Sequence, residues 1–103
     1  MSDCIFCKIV EGKSPCFKIW EDDNFLAFLD IFPNTKGQTL VIPKKHYESD
    51  LFLIDDGELY KNYLLATTEV VNLLKKGLGV HRVAMVMEGM GVNHLHFKLY
   101  PLH

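Results

Sequence analysis

The sequence predicts an α+β domain: a five-stranded antiparallel sheet, one long helix between strands 3 and 4, and a short N-terminal helix. Three observations predict it. Two β-prone runs, residues 16–20 and 25–29, are joined by a loop short enough for a hairpin. Only one stretch, about residues 57–76, repeats apolar side chains at three- and four-residue steps. The final stretch, residues 91–101, alternates with period two, which is strand spacing.

In chain order, Cys-Ile-Phe-Cys-Lys-Ile-Val (4–10) sets Ile5, Phe6, Ile9 and Val10 at offsets suited to one or two helical turns, and Glu11 to Pro15 end them. Residues 16–20 alternate as a strand, residues 21–24 (Glu-Asp-Asp-Asn) read as a turn, and residues 25–29 form a mostly buried second strand. Pro33 and Gly37 punctuate a loop over 30–37. Residues 38–42 (Gln-Thr-Leu-Val-Ile) are the most β-prone run, with Pro43 as its stop, and residues 47–54 read as irregular. Asp55 or Asp56 suits the cap of the long helix, with Glu58 in its first turn; Leu59, Tyr63, Ala66, Val70, Leu73 and Leu74 make its apolar face. Lys75 and Lys76 suit its last turn and Gly77 a left-handed cap. Residues 81–87 form the fourth strand, Gly89 and Gly91 punctuate a turn, and the fifth strand carries His94 and His96.

At 103 residues the chain has the length of a single domain, spanning 1–103, with room for a real core and none for a second. Its stop at His103 directly after a strand leads us to expect a C-terminal tail beyond it. A net charge of −2 argues against a protein that coats nucleic-acid backbone. No run approaches the length of a membrane span, and neither a secretory leader nor a lipidation signal is visible. Three cysteines, two of them as Cys4-x-x-Cys7, do not make a disulfide framework, so a reducing compartment is expected: cytoplasmic, and nuclear as well in a eukaryote.

In the last strand His94, His96, Lys98 and Tyr100 share one face, and Leu95, Phe97 and Leu99 the other. The apolar row suits a core. The polar row suits an anion or a metal, through imidazole ligation or nucleophilic attack, and the plain alternative is a solvated strand face. Cys4 and Cys7 are spaced to grip a tetrahedral ion, to form a redox pair, or simply to be buried; every histidine in the chain is open as a partner. Asp30, at a strand end, reads as a turn acid or as an acceptor for sugar hydroxyls. Phe6, Ile9, Phe28 and Ile31 read as core, or as the lining of an apolar slot for a flat ring.

Together these pieces resemble the histidine triad (HIT) superfamily, in its zinc-containing nucleotide hydrolase branch. The matching segments are 4–10, 26–31 (Leu-Ala-Phe-Leu-Asp-Ile), 36–46 (Lys-Gly-Gln-Thr-Leu-Val-Ile-Pro-Lys-Lys-His) and 94–101 (His-Leu-His-Phe-Lys-Leu-Tyr-Pro), in the family's order. The resemblance implies a hydrolase or transferase acting at the α-phosphorus of nucleoside phosphoramidates or dinucleoside polyphosphates through a nucleotidyl-histidine intermediate. It makes His96 the nucleophile, with His94, Lys98 and Gln38 assisting. Asp30 is assigned to the ribose, and Phe6, Ile9, Phe28 and Ile31 to the base of a purine nucleotide such as AMP. It further implies a structural zinc on Cys4, Cys7, His46 and His94, and a homodimer. Lys98 and Gln38 stand where the family pattern has histidines, so the alternative is a zinc-stapled nucleotide-binding or scaffold protein with little catalysis.

Overall fold

Five strands form because five runs of apolar or β-branched residues are cut apart by turn-forming residues. In the computed structural model they are β1 (Lys18–Glu21), β2 (Phe25–Leu29), β3 (Thr39–Pro43), β4 (Arg82–Val86) and β5 (Phe97–Leu102). All pairs are antiparallel, in the order β1-β2-β3-β5-β4. A short helix, α1 (Ile5–Val10), precedes them, and α2 (Gly57–Leu78) connects β3 to β4. The structure describes residues 3–103; Met1 and Ser2, on which the reading of a leaderless N-terminus partly rests, lie outside the described residues. The expected architecture is the one observed.

Each face of the sheet is covered by a different helix. On the first, Tyr63, Ala66, Val70 and Leu74 of α2 pack against Phe25, Ala27, Val41, Leu95, Phe97 and Leu99. Tyr63 is the centre of this core: its ring stacks on Phe25 (5.2 Å) and Phe97 (3.9 Å), and its hydroxyl donates to the Val41 carbonyl at 2.6 Å. Burial pushes that phenol well above its ordinary pKa, so it stays a neutral donor. On the second face Leu26, Phe28, Leu40 and Ile42 pack with Cys4 and Phe6 from the α1 segment. Covered on both sides, β2 and β3 read as continuous apolar runs without alternation, and each fully buried large side chain there contributes roughly 1.5–3 kcal/mol.

Several boundaries differ from the sequence reading. β1 begins at Lys18 and not at Cys16, and its register breaks between Lys18 and Trp20. Pro43 does not stop β3 but ends it inside the ladder, paired with Phe25, at a position where a missing N–H does little harm. The 47–54 segment contains a 3-10 turn, Leu51–Leu53. In α2 the cap is Asp56, whose carboxylate accepts from the Glu58 and Leu59 N–H groups. The left-handed residue at the other end is Gly79 (φ 67°) and not Gly77, because two further helical residues lay Leu78 on the core. Leu73 points outward and Thr67 inward, where its hydroxyl donates to the Tyr63 carbonyl. β4 covers only Arg82–Val86 of the expected 81–87. β5 begins at Phe97, so both histidines precede its ladder.

Candidate active site and metal centre

Although residues 94–96 lie outside the ladder, their side chains keep the alternation of β5. Leu95, Phe97 and Leu99 enter the α2-side core, and His94, His96 and Lys98 point to the face that α1 covers. The polar row is therefore not a solvated strand face: His94 is 0% exposed and His96 3%.

The first of these positions belongs to a closed cluster. Cys4 is the N-cap of α1, its sulfur accepting from the Cys7 N–H, and the three-residue step puts both thiols on one side of the turn. His46 arrives from the connection after β3, and His94 from the segment before β5. The Cys4 Sγ lies 3.3 Å from His94 Nδ1, and the Cys7 Sγ lies 3.3 Å from His46 Nδ1 and 3.5 Å from His94 Nδ1. All four ligand atoms lie within 4.8 Å of one another. A tetrahedral ion with bonds of about 2.0–2.3 Å separates its ligands by about 3.3–3.8 Å, so this donor set and spacing fit zinc. His94 Nε2–H donates to the Pro43 carbonyl at 2.8 Å, which leaves the Nδ1 lone pair for the cluster. Burial, with repulsion from His46 and His96, holds the His94 pKa down and the ring neutral. Burial and then the neighbouring Cys4 push the Cys7 thiol up; a coordinated cation would reverse that shift.

The second and third positions open on a cavity of about 600 Å³. Its walls include Phe6, Ile9, Phe28 and Ile31, and Asp30, Gln38, His96 and Lys98 meet it as well. The phenyl ring of Phe6 lies between the cavity and the cysteine–histidine cluster, standing edge-on to Phe28 (5.6 Å), His94 (5.8 Å) and His96 (5.4 Å). Ile31, 70% exposed, sits at the mouth. Of the site residues that the resemblance implies, His94, His46 and the two cysteines stay off this cavity, and those four are the ones that cluster together.

His96 Nδ1 lies 2.7 Å from the His94 carbonyl and donates to it. Its Nε2 has no partner among the described residues and is the nitrogen left for the cavity. Gln38 is occupied at both ends: its Nε2–H donates to Asp30 Oδ2 at 2.7 Å, and its Oε1 accepts from the Asn34 N–H at 2.7 Å. Asp30 Oδ1 accepts from the Phe32 N–H. Gln38 thus braces the acid and its loop, which the sequence reading did not foresee. Lys98 Nζ lies 3.0 Å from Glu88 Oε1; that contact raises the lysine pKa and lowers the carboxyl's. Glu88 was missed. Its signal lies in the pairing of β4 with β5, where Val86 faces Lys98 and residue 88, two further along, returns to the same side.

Residues 11–103 match the model of the HIT domain. An uncharacterised HIT-like protein of Methanocaldococcus jannaschii is 46% identical over 103 residues, covering 95% of this chain and 78% of that protein. The adenosine 5′-monophosphoramidase of Schizosaccharomyces pombe is 37% identical over 107 residues, covering 95% of this chain and 73% of that enzyme. The crystal structure of a zinc-bound histidine triad family protein from Mycobacterium smegmatis superposes with a TM-score of 0.89 at 32% identity, over 99% of this chain and 76% of that one. Sequence, fold and the convergence of four ligands on one point agree: the chain belongs to the HIT, or histidine triad, family.

Proposed function

We propose that this protein is a nucleotide hydrolase or transferase acting at the α-phosphorus, with His96 as nucleophile. The observation supporting this most directly is the hydrogen bond of His96: its Nδ1–H is committed to the His94 carbonyl, so Nε2 is the nitrogen that meets the cavity wall. The base of a purine nucleotide such as AMP fits the apolar slot of Phe6, Ile9, Phe28 and Ile31, and Asp30 accepts from the ribose hydroxyls with the acceptor capacity that Gln38 and Phe32 leave free.

In the reaction, the imidazole lone pair forms an N–P bond while the bond from phosphorus to the leaving nitrogen or oxygen breaks. The leaving atom takes that electron pair and a proton from solvent, because neither Lys98 nor Gln38 exchanges protons near neutral pH. Water then displaces the imidazole from phosphorus and returns Nε2 to its starting state. The same class of substrate is named by the Schizosaccharomyces pombe relative.

Cys4, Cys7, His46 and His94 would hold a structural zinc, closed to water, that ties α1, the segment after β3 and the segment before β5 together. A homodimer fits the apolar side chains left exposed on α2 and β4, among them Leu64, Leu65, Leu73 and Met85, and the free edge of β4. A zinc-stapled nucleotide-binding or scaffold protein with little catalysis is the competing reading, favoured by Lys98 and Gln38 standing where the family pattern has histidines. Incubation with adenosine 5′-phosphoramidate decides between them. AMP release with a covalent adduct on His96, lost in His96→Ala, is expected; full activity in His96→Ala would overturn the assignment.

A further inference from the structure

The charges at the cavity are few. Among the described residues that line it, Lys98 is the only cation and Asp30 the only anion. Lys98 is not free, because its ammonium is 3.0 Å from the Glu88 carboxylate. Glu88 is itself held in place: its second oxygen accepts from the Met90 N–H. The turn that carries it is clamped to the segment after β3, where Ser49 donates its hydroxyl to the Gly89 carbonyl (2.6 Å) and its N–H to Asn93 Oδ1 (3.0 Å). Gly89 is required there, since a Cβ would fall 1.9 Å from the Ser49 carbonyl oxygen. The clamp keeps a carboxylate beside the one ammonium that an incoming phosphate meets. Asp30, Lys98 and Glu88 together carry a charge of −1 at pH 7.

We propose that Glu88 is a specificity-determining residue: by holding Lys98 in an ion pair, it selects nucleotides with a single phosphorus and rejects extended polyphosphates. A nucleoside phosphoramidate or monophosphate brings one or two negative charges, which His96, Lys98 and hydrogen-bond donors of the wall accommodate. Each additional phosphate adds charge near a carboxylate at the rim of the cavity that already engages Lys98, and like charges there repel. This inference rests on the nucleotide reading of the cavity and refines it.

The test compares binding of AMP and ATP in magnesium-free buffer by calorimetry, which does not depend on turnover. The wild type is expected to bind AMP at least about tenfold more tightly than ATP. Glu88→Gln frees Lys98 and should shift that ratio about tenfold toward ATP; Glu88→Ala gives the same answer if the amide is not tolerated. Adding Lys98→Met to Glu88→Gln should abolish the gain. If Glu88 were only a clamp for its turn, the variants would lose thermal stability or weaken both nucleotides equally, and an unchanged ratio with AMP still bound would overturn the proposal alone. Failure of the wild type to bind either nucleotide would overturn the nucleotide reading and this inference with it.

Discussion

Residues 94–99 present two faces that began from one alternating pattern and ended differently. On one, Leu95, Phe97 and Leu99 are closed over from end to end by α2. On the other, His94, His96 and Lys98 pass from sealed, to a ring with one free nitrogen, to a side chain 27% exposed. The backbone treats both faces alike. What separates them is their cover: a 22-residue amphipathic helix on one side, and a six-residue helix with the Asp30 loop on the other. Period two sorts side chains into faces, but distant chain decides whether a face becomes core, cysteine–histidine cluster or pocket.

Adjacent residues on opposite faces give the sharpest test of that division. His96→Gln keeps the size and a hydrogen-bonding end but removes the proposed nucleophile. Release of AMP from adenosine 5′-phosphoramidate should fall at least about a thousandfold, with unfolding free energy changed by no more than about 1 kcal/mol. Phe97→Ala should do the reverse. It removes the ring stacked on Tyr63 and should cost about 3–5 kcal/mol in denaturant unfolding followed by Trp20 fluorescence, while turnover per folded molecule stays within tenfold. Equal loss of stability in both variants would break the comparison.

The sealed end of the same face predicts a smaller, different effect. Elemental analysis should find one equivalent of zinc in the wild type and none in the Cys4→Ser/Cys7→Ser variant, whose melting midpoint should drop by about 10 °C or more. Metal-free wild type of the same stability as the variant would remove the zinc reading and leave His96 untouched.

How much of this was legible in the sequence follows from the same distinction between local pattern and distant cover. Most of the α2 face, its cap at Asp55 or Asp56 and the five strands were readable because each depends on neighbours within a few residues. Gly79 was not preferred over Gly77 because the choice turns on whether Leu78 finds apolar contact, which the helix cannot report by itself. The Cys4–Cys7 pair pointed to a metal, but spacing left every histidine open; only the likeness to HIT proteins narrowed the choice to His46 and His94, which meet the pair across separations of 39 to 90 residues. Gln38 was read only as assisting His96, and its bracing of Asp30 was not foreseen, because its two hydrogen bonds depend on how the 30–37 loop folds back. Glu88 was invisible for the opposite reason: it lies in a turn whose only marker was glycine, and its meaning came from strand pairing.

The smallest effect should appear farthest from residues 94–99. On the edge strand β1, Glu21 receives Lys18 Nζ at 2.7 Å on one oxygen and Lys44 Nζ at 2.7 Å on the other. The hydrogen bond from Lys18, then that from Lys44, lowers its carboxyl from an ordinary 4.5 to about 2. A carboxyl depressed in the folded state favours folding above its ordinary value, and that support is lost as pH falls through the folded value, here between about 4.5 and 2. The group is solvent-facing, so screening keeps the effect small: Glu21→Gln should lower the melting midpoint by about 2 °C or less at pH 7 and low salt. The difference should shrink in 1 M salt, as expected of exposed charges, and close as pH approaches 2. Turnover should not change at any pH where both proteins are folded, because Glu21 does not line the cavity. A change in turnover matching that of a cavity variant would show that β1 is coupled to the site through β2, and the separation between the two faces of residues 94–99 would then extend no further than the final segment.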